Sequence, residues 1–222
     1  MSLLRAAPAA PARRTLLRNP ASWYVAALAL GWPVEALLSP GRLNHLQEWS
    51  SANLANLHPW PAGHPVGALV VSAFVPPDSA WVWPLFALAT FTVVELLGPA
   101  RAVVSLVLVH VGVTALTEAL VWWRIHHDAL PAVAAHELDT GPSYLVVTAM
   151  TVALCRARPV WLRAGWLVLL ALAWPDLLDG IGDGDCAAVG RLLALAAGLA
   201  LSGALACAER RRRGPAGREG DP

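Results

Sequence analysis

Six stretches of this 222-residue chain are apolar enough to enter a lipid bilayer. Crossing the hydrocarbon layer takes about 20 mostly apolar residues, roughly 17–25. Residues 22–38, 81–97, 103–123, 141–155, 160–174 and 187–207 meet or approach that length, the fourth and fifth being short. Residues 66–74 are apolar but too few to span, and they read as a re-entrant or interfacial segment. Inside lipid every backbone polar group must be bonded within the protein. The pattern therefore predicts an all-α polytopic membrane protein, a bundle of six transmembrane helices with a long outer loop after the first. Composition agrees: 57% of the residues are hydrophobic and 14% charged, against about 25% charged in soluble domains.

Arginine placement orients the bundle. All 16 basic residues are arginine, and thirteen of them fall in one set of segments: Arg5, Arg13, Arg14, Arg18, Arg101, Arg156, Arg158, Arg163, Arg210, Arg211, Arg212, Arg213 and Arg218. The opposite loops hold only Arg42 and Arg124, and they carry Asp78, Asp128, Glu137, Asp139, Asp176, Asp179, Asp183 and Asp185. Cytoplasmic loops are the basic ones, so both termini are expected in the cytoplasm. Residues 1–21 and 208–222, rich in Ala/Pro/Arg and Gly/Arg, read as disordered tails around a membrane domain at 22–207. The first span follows four arginines like a signal peptide. Trp32, Pro33 and Glu35 interrupt its end and no small-residue cleavage site follows, so it reads as a retained helix. Tryptophans near the span ends, among them Trp23, Trp60, Trp81, Trp122, Trp123 and Trp174, match an interfacial belt.

A net charge of +1 supplies no field to recruit nucleic acid. Cys155, Cys186 and Cys207 show no metal-type spacing and no disulfide framework. No cofactor and no metal are expected, and the predicted surroundings are the bilayer itself.

Ionisable groups inside spans are costly, so each asks for a reason. His110 and Glu118 lie eight residues apart on the third span, about two turns, and share one helix face. They read either as a polar stripe packed between helices or as a proton or ion path. Gly141-Pro142-Ser143 opens the short fourth span, with proline suited to a first turn. A serine there is either an ordinary packing residue or a nucleophile facing an outer, water-filled cavity. Arg191 sits at a similar depth in the sixth span and reads either as half of an ion pair closing the outer mouth, with Asp139 as the natural partner and Asp185 as another, or as a group aimed at an anionic ligand or lipid headgroup.

Four further features carry a resemblance. The outer loop contains Ser51-Ala52-Asn53-Leu54-Ala55-Asn56-Leu57 and then His64-Pro65. Glu95-Leu96-Leu97-Gly98 with Arg101 ends the second span, and Val109-His110-Val111-Gly112-Val113-Thr114 lies in the third. Gly141-Pro142-Ser143-Tyr144 begins the fourth, and Val189-Gly190-Arg191-Leu192 lies in the sixth. In this order, across residues 22–207, the pattern resembles the rhomboid superfamily of intramembrane serine proteases. It is most similar to the actinobacterial rhomboid-like membrane proteins.

The resemblance implies that Ser143 stands at the nucleophile position and Arg191 at the position of the histidine base. Arginine stays protonated and cannot accept the serine proton. Tyr144 replaces the glycine after the serine, and Trp81, Val82 and Trp83 stand where rhomboids place oxyanion donors. His136, His126, His127 and His110 are the histidines that could substitute as base. The expectation is a proteolytically inactive rhomboid-like protein, with a degenerate dyad, that binds a client transmembrane helix or acts as a scaffold. An intramembrane serine protease using Ser143 is one alternative. A small transporter using His110 and Glu118 is another.

Overall fold

The computed structural model describes residues 16, 18–58, 63–76, 82–183 and 185–212. Most of the N-terminal tail, Trp60, Asp78, Trp81 and residues 213–222 lie outside the described residues. In chain order the helices are α1 (Pro20–Leu37), α2 (Pro40–Ser50), α3 (Leu54–Leu57), α4 (Pro65–Ser72), α5 (Val82–Leu97), α6 (Pro99–His126), α7 (Ser143–Arg156), α8 (Val160–Leu178) and α9 (Cys186–Arg212). No β-strand occurs among the described residues. A helix coincides with each of the six apolar stretches. Three of them, α6, α8 and α9, are long and apolar enough to cross a membrane by length and composition, while α5 and α7 are apolar but shorter.

Local chemistry sets the helix starts. Asn19 caps α1, its side chain accepting from the Ala21 N–H at 2.9 Å, and Pro20 takes the first helical position, where no N–H is needed. Gly98 sits at φ 79 between α5 and α6, a left-handed turn open to glycine at little cost. Pro99 then begins α6 immediately. The segment between α1 and α4 contains two helices that hydropathy does not signal. α2 carries Arg42, Asn44, His45, Gln47 and Glu48, and its apolar side is limited to Leu43, Leu46 and Trp49.

The short α7 is the axis of the bundle. It packs against α5, α6, α8 and α9, and every residue from Tyr144 to Ala153 is buried. Its 14 residues rise only about 21 Å. Enclosed by other helices, it has no lipid face to match to the bilayer. Glycines on α9 let it approach: a Cβ at Gly190 would stand 2.5 Å from the Tyr144 hydroxyl, and one at Gly198 2.7 Å from Thr151 Cβ. Thr148 Oγ1 donates across this contact to the Ala194 carbonyl at 3.1 Å, the small-residue, hydrogen-bonded packing expected where helices associate in lipid.

Outside, the polarity is reversed. Leu37 is 85% exposed and Val160 76%, whereas His110 and Glu118 are each 6% exposed. Apolar side chains turned outward around a core containing buried threonines, a histidine and a glutamate suit a lipid solvent.

Candidate functional site

The chain enters α7 along a strapped segment. The Ala52 N–H donates to the Asp139 carbonyl at 2.8 Å, the Asp139 N–H to Ser51 Oγ at 2.8 Å, and the Gly141 N–H to the Ser72 carbonyl at 2.9 Å. Gly141 lies at φ 96, which a Cβ would oppose. The segment after α1 that supplies Ser51 and Ala52 is itself tied. Asn53 caps α3 by accepting from the Asn56 N–H, and Asn56 Nδ2 donates to the carbonyls of Glu48 and Ser51 at 2.7 and 2.8 Å. The His64 ring stacks on Trp49 with centroids 4.9 Å apart and bonds the Trp49 carbonyl through Nε2 at 2.7 Å. The asparagines and the His64-Pro65 pair singled out in the sequence thus have structural work to do.

Ser143, the first residue of α7, is half-buried and lines a cavity of about 530 Å³. Gly141, Thr140, Gln47, Asp176 and Arg191 give the cavity its polar rim, and Leu85, Val146, Met150 and Leu177 its apolar floor. None of the seven histidines lines it. His136 is exposed at the end of the short 3-10 helix Ala132–His136. His126 and His127 are exposed at the end of α6, where each ring bonds the carbonyl four residues back.

Arg191 departs from the expected ion pair. Its Nη1 donates to the Asp176 main-chain carbonyl at 2.8 Å, and no ion pair closes between Arg191 and Asp139 among the described residues. The physical reason lies in α8. Asp176 is in its last turn, where carbonyls have no partner within the helix and a cation is favoured by the dipole. Arg191 takes that role and ties the end of α8 to α9.

The other predicted residues separate into two places. Asp139, Glu118 and Tyr144 meet in a second, much smaller pocket of about 30 Å³, together with Thr117, Glu137, Asp185 and Cys186. The Tyr144 ring leans on Gly190 and points away from the cavity that Ser143 lines. Asp139 Oδ2 and Tyr144 Oη are both buried, and neither closes a hydrogen bond of ordinary geometry. Burial pushes the Asp139 carboxyl up to about 6; Tyr144 and the Arg191 charge pull it down, and Asp185 pushes it further up.

His110 stands apart from both pockets. Its Nε2 lies 3.0 Å from the Leu69 carbonyl and 3.5 Å from Ser72 Oγ, so it bonds α4 against α6. His110 and Glu118 share a helix face, as the spacing requires, yet they meet different neighbours.

Gln47 and Asp176 line the cavity without having been singled out in the sequence. Gln47 lies on a short, mostly polar helix that hydropathy does not flag. Asp176 reads as one more acid of an outer loop. A second, apolar cleft of about 440 Å³ opens beside the cavity between α5 and α8, lined by Pro84, Leu85, Leu88, Leu169 and Leu172. Leu85 belongs to both. Among the described residues no group of three or more His, Cys, Asp or Glu side chains is placed to hold a metal ion.

Compared with known proteins, residues 17–209 match the family model described as rhomboid-like protein. No curated protein and no solved structure matches the chain.

Proposed function

The chain belongs to the rhomboid-like family, and on that premise we propose that it is a non-proteolytic member that receives a client transmembrane segment in the cavity lined by Ser143 and Arg191. In this reading α1, α5 and α7 join the three long helices as spans. Both chain ends are cytoplasmic, in a bacterial plasma membrane, and the loop carrying α2 to α4 lies outside. The observation that carries the reading is the composition of the cavity: a serine and an arginine line it, and no histidine does. A serine hydroxyl needs a neighbouring base to become a nucleophile. An arginine that stays protonated cannot serve, and its guanidinium is engaged with the end of α8. The apolar cleft between α5 and α8 adjoins the cavity through Leu85 and is a lateral way in for a helix from the bilayer.

The protease alternative needs a histidine to reach Ser143, and the transporter alternative needs His110 and Glu118 to act together. Neither is favoured by an observation of its own. The deciding experiment is labelling of the membrane-embedded protein by a serine-directed fluorophosphonate. Wild type should remain unlabelled, as should Ser143→Ala. Arg191→His should gain labelling that disappears in the double variant with Ser143→Ala. Labelling of wild type that is lost in Ser143→Ala would overturn the non-proteolytic reading.

A further inference from the structure

At the arginine-bearing end of the bundle, far from Ser143, α1 and α6 begin side by side and leave an open groove of about 470 Å³ lined by Arg18, Pro20, Trp23, Pro99, Ala100, Val103 and Val104. We propose that this groove binds an anionic glycerophospholipid, with the headgroup phosphate held by Arg18 and Arg101 and an acyl chain laid along Val103 and Val104.

Three observations carry the assignment, and none depends on whether the protein is a protease. The groove is divided by polarity along its length. Arg18 stands at its mouth, while Val103 and Val104 line its wall and are 44% and 57% exposed. Trp23, 63% exposed, lines the groove one turn into α1, at the level where an indole favours the interface between headgroups and hydrocarbon.

The charge is also uncompensated among the described residues. No Asp or Glu lines the groove. Arg18 and Arg101 are exposed and make no ion pair among the described residues. Glu209, an acid at this end, is already paired with Arg156. Arg101 lies one turn from Val104 on α6 and so borders the same face. Both helices start here, each with proline at its first position, so the positive ends of two helix dipoles add to the arginine field.

A free phosphate would make no use of the valine wall, and an uncharged lipid would make no use of the arginines. A phospholipid with net negative charge uses both, and basic pockets between helices at a membrane surface take such headgroups.

Trp23 provides the readout. The full-length protein is reconstituted in phosphatidylcholine vesicles containing increasing mole fractions of bromine-labelled phosphatidylglycerol, or of bromine-labelled phosphatidylcholine. The Trp23 signal is taken as the difference between wild type and Trp23→Phe. Half-quenching should occur at a several-fold lower mole fraction of the anionic lipid. Each of Arg18→Gln and Arg101→Gln should raise that fraction about fivefold, since a basic residue near a membrane surface contributes about 1 kcal/mol. Arg18→Lys and Arg101→Lys should stay near wild type. Equal half-quenching by the two lipids would overturn the proposal. So would a loss of the same size in Arg158→Gln and Arg163→Gln, which would mean a diffuse basic belt instead of a groove. Reversal of quenching by millimolar glycerol phosphate would show that the headgroup alone is bound and would also overturn it.

Discussion

On one flank of the cavity α7 and α9 are locked together, whereas on the other α5 and α8 leave a cleft, and the difference follows from side-chain size. Gly190 and Gly198 bring α9 so close that no Cβ fits at either position, and Thr148 bonds the Ala194 carbonyl across the contact. The α5–α8 flank presents Leu88, Leu169 and Leu172, and they line an open apolar cleft. In lipid there is no hydrophobic force to close such a gap, because acyl chains solvate leucine as well as leucine does. Backbone proximity and hydrogen bonds decide which flank is shut. The same bundle can therefore hold Ser143 and Arg191 rigidly from one side, while the open flank is where the proposed client helix would enter.

The sharpest way to break this contrast is to add bulk on the closed flank. Gly198→Leu places a side chain where Thr151 already stands. Overpacking of this kind should cost about 3 kcal/mol or more, read as a lowered midpoint of unfolding in detergent. A wild-type midpoint in that variant would mean the two helices are not in close contact.

A second test addresses the strapped segment before Ser143. An acid whose folded pKa is raised holds its proton more tightly folded than unfolded. Asp139 therefore leaves stability untouched below its ordinary value of 3.8 and lowers it progressively as the pH climbs to about 6. The difference corresponds to up to about 3 kcal/mol. Asp139→Asn keeps both backbone bonds of that residue and should be more stable than wild type at pH 7. It should also lose the slope between these two values. An unchanged slope in a melting series across pH 3–7 would remove Asp139 as its source.

The smallest effects compare the flanks directly. Thr148→Val removes one interhelical bond and should cost about 0.6 kcal/mol, the mean for such bonds in a membrane bundle. Leu172→Ala, on the open flank, should change stability by less than about 0.5 kcal/mol. If Leu172→Ala proves the more damaging of the two, the cleft is closed in the membrane and the proposed entry route fails.

Much of this architecture was legible in the chain. Span-length apolar runs have one backbone solution in lipid, so α1 and α5 to α9 lie where hydropathy puts them. Gly98-Pro99 announces the turn into α6, and Asn19-Pro20 the start of α1. Family membership followed from the motif order. Other features were hidden. α2 is short and mostly polar, with only Leu43, Leu46 and Trp49 along one side, too weak a stripe for hydropathy to flag. Tyr144 adjoins Ser143 in sequence, yet the 100° step between helix neighbours carries its ring to another pocket. Arg191 and Asp139 had the charges to pair, but an unpartnered carbonyl at the end of α8 competed for the guanidinium.

By itself the sequence determined that this protein is a helical membrane bundle of the rhomboid-like family, because apolar run length and backbone hydrogen bonding leave little choice in a bilayer. Only the tertiary structure decided which polar residues share a space. Spacing along one helix says that His110 and Glu118 occupy one face. What each of them meets depends on neighbouring helices and on the loop folded over them. The cavity at Ser143 is likewise a product of packing, drawn from α2, α5, α7, α8 and α9, segments with no common local signal.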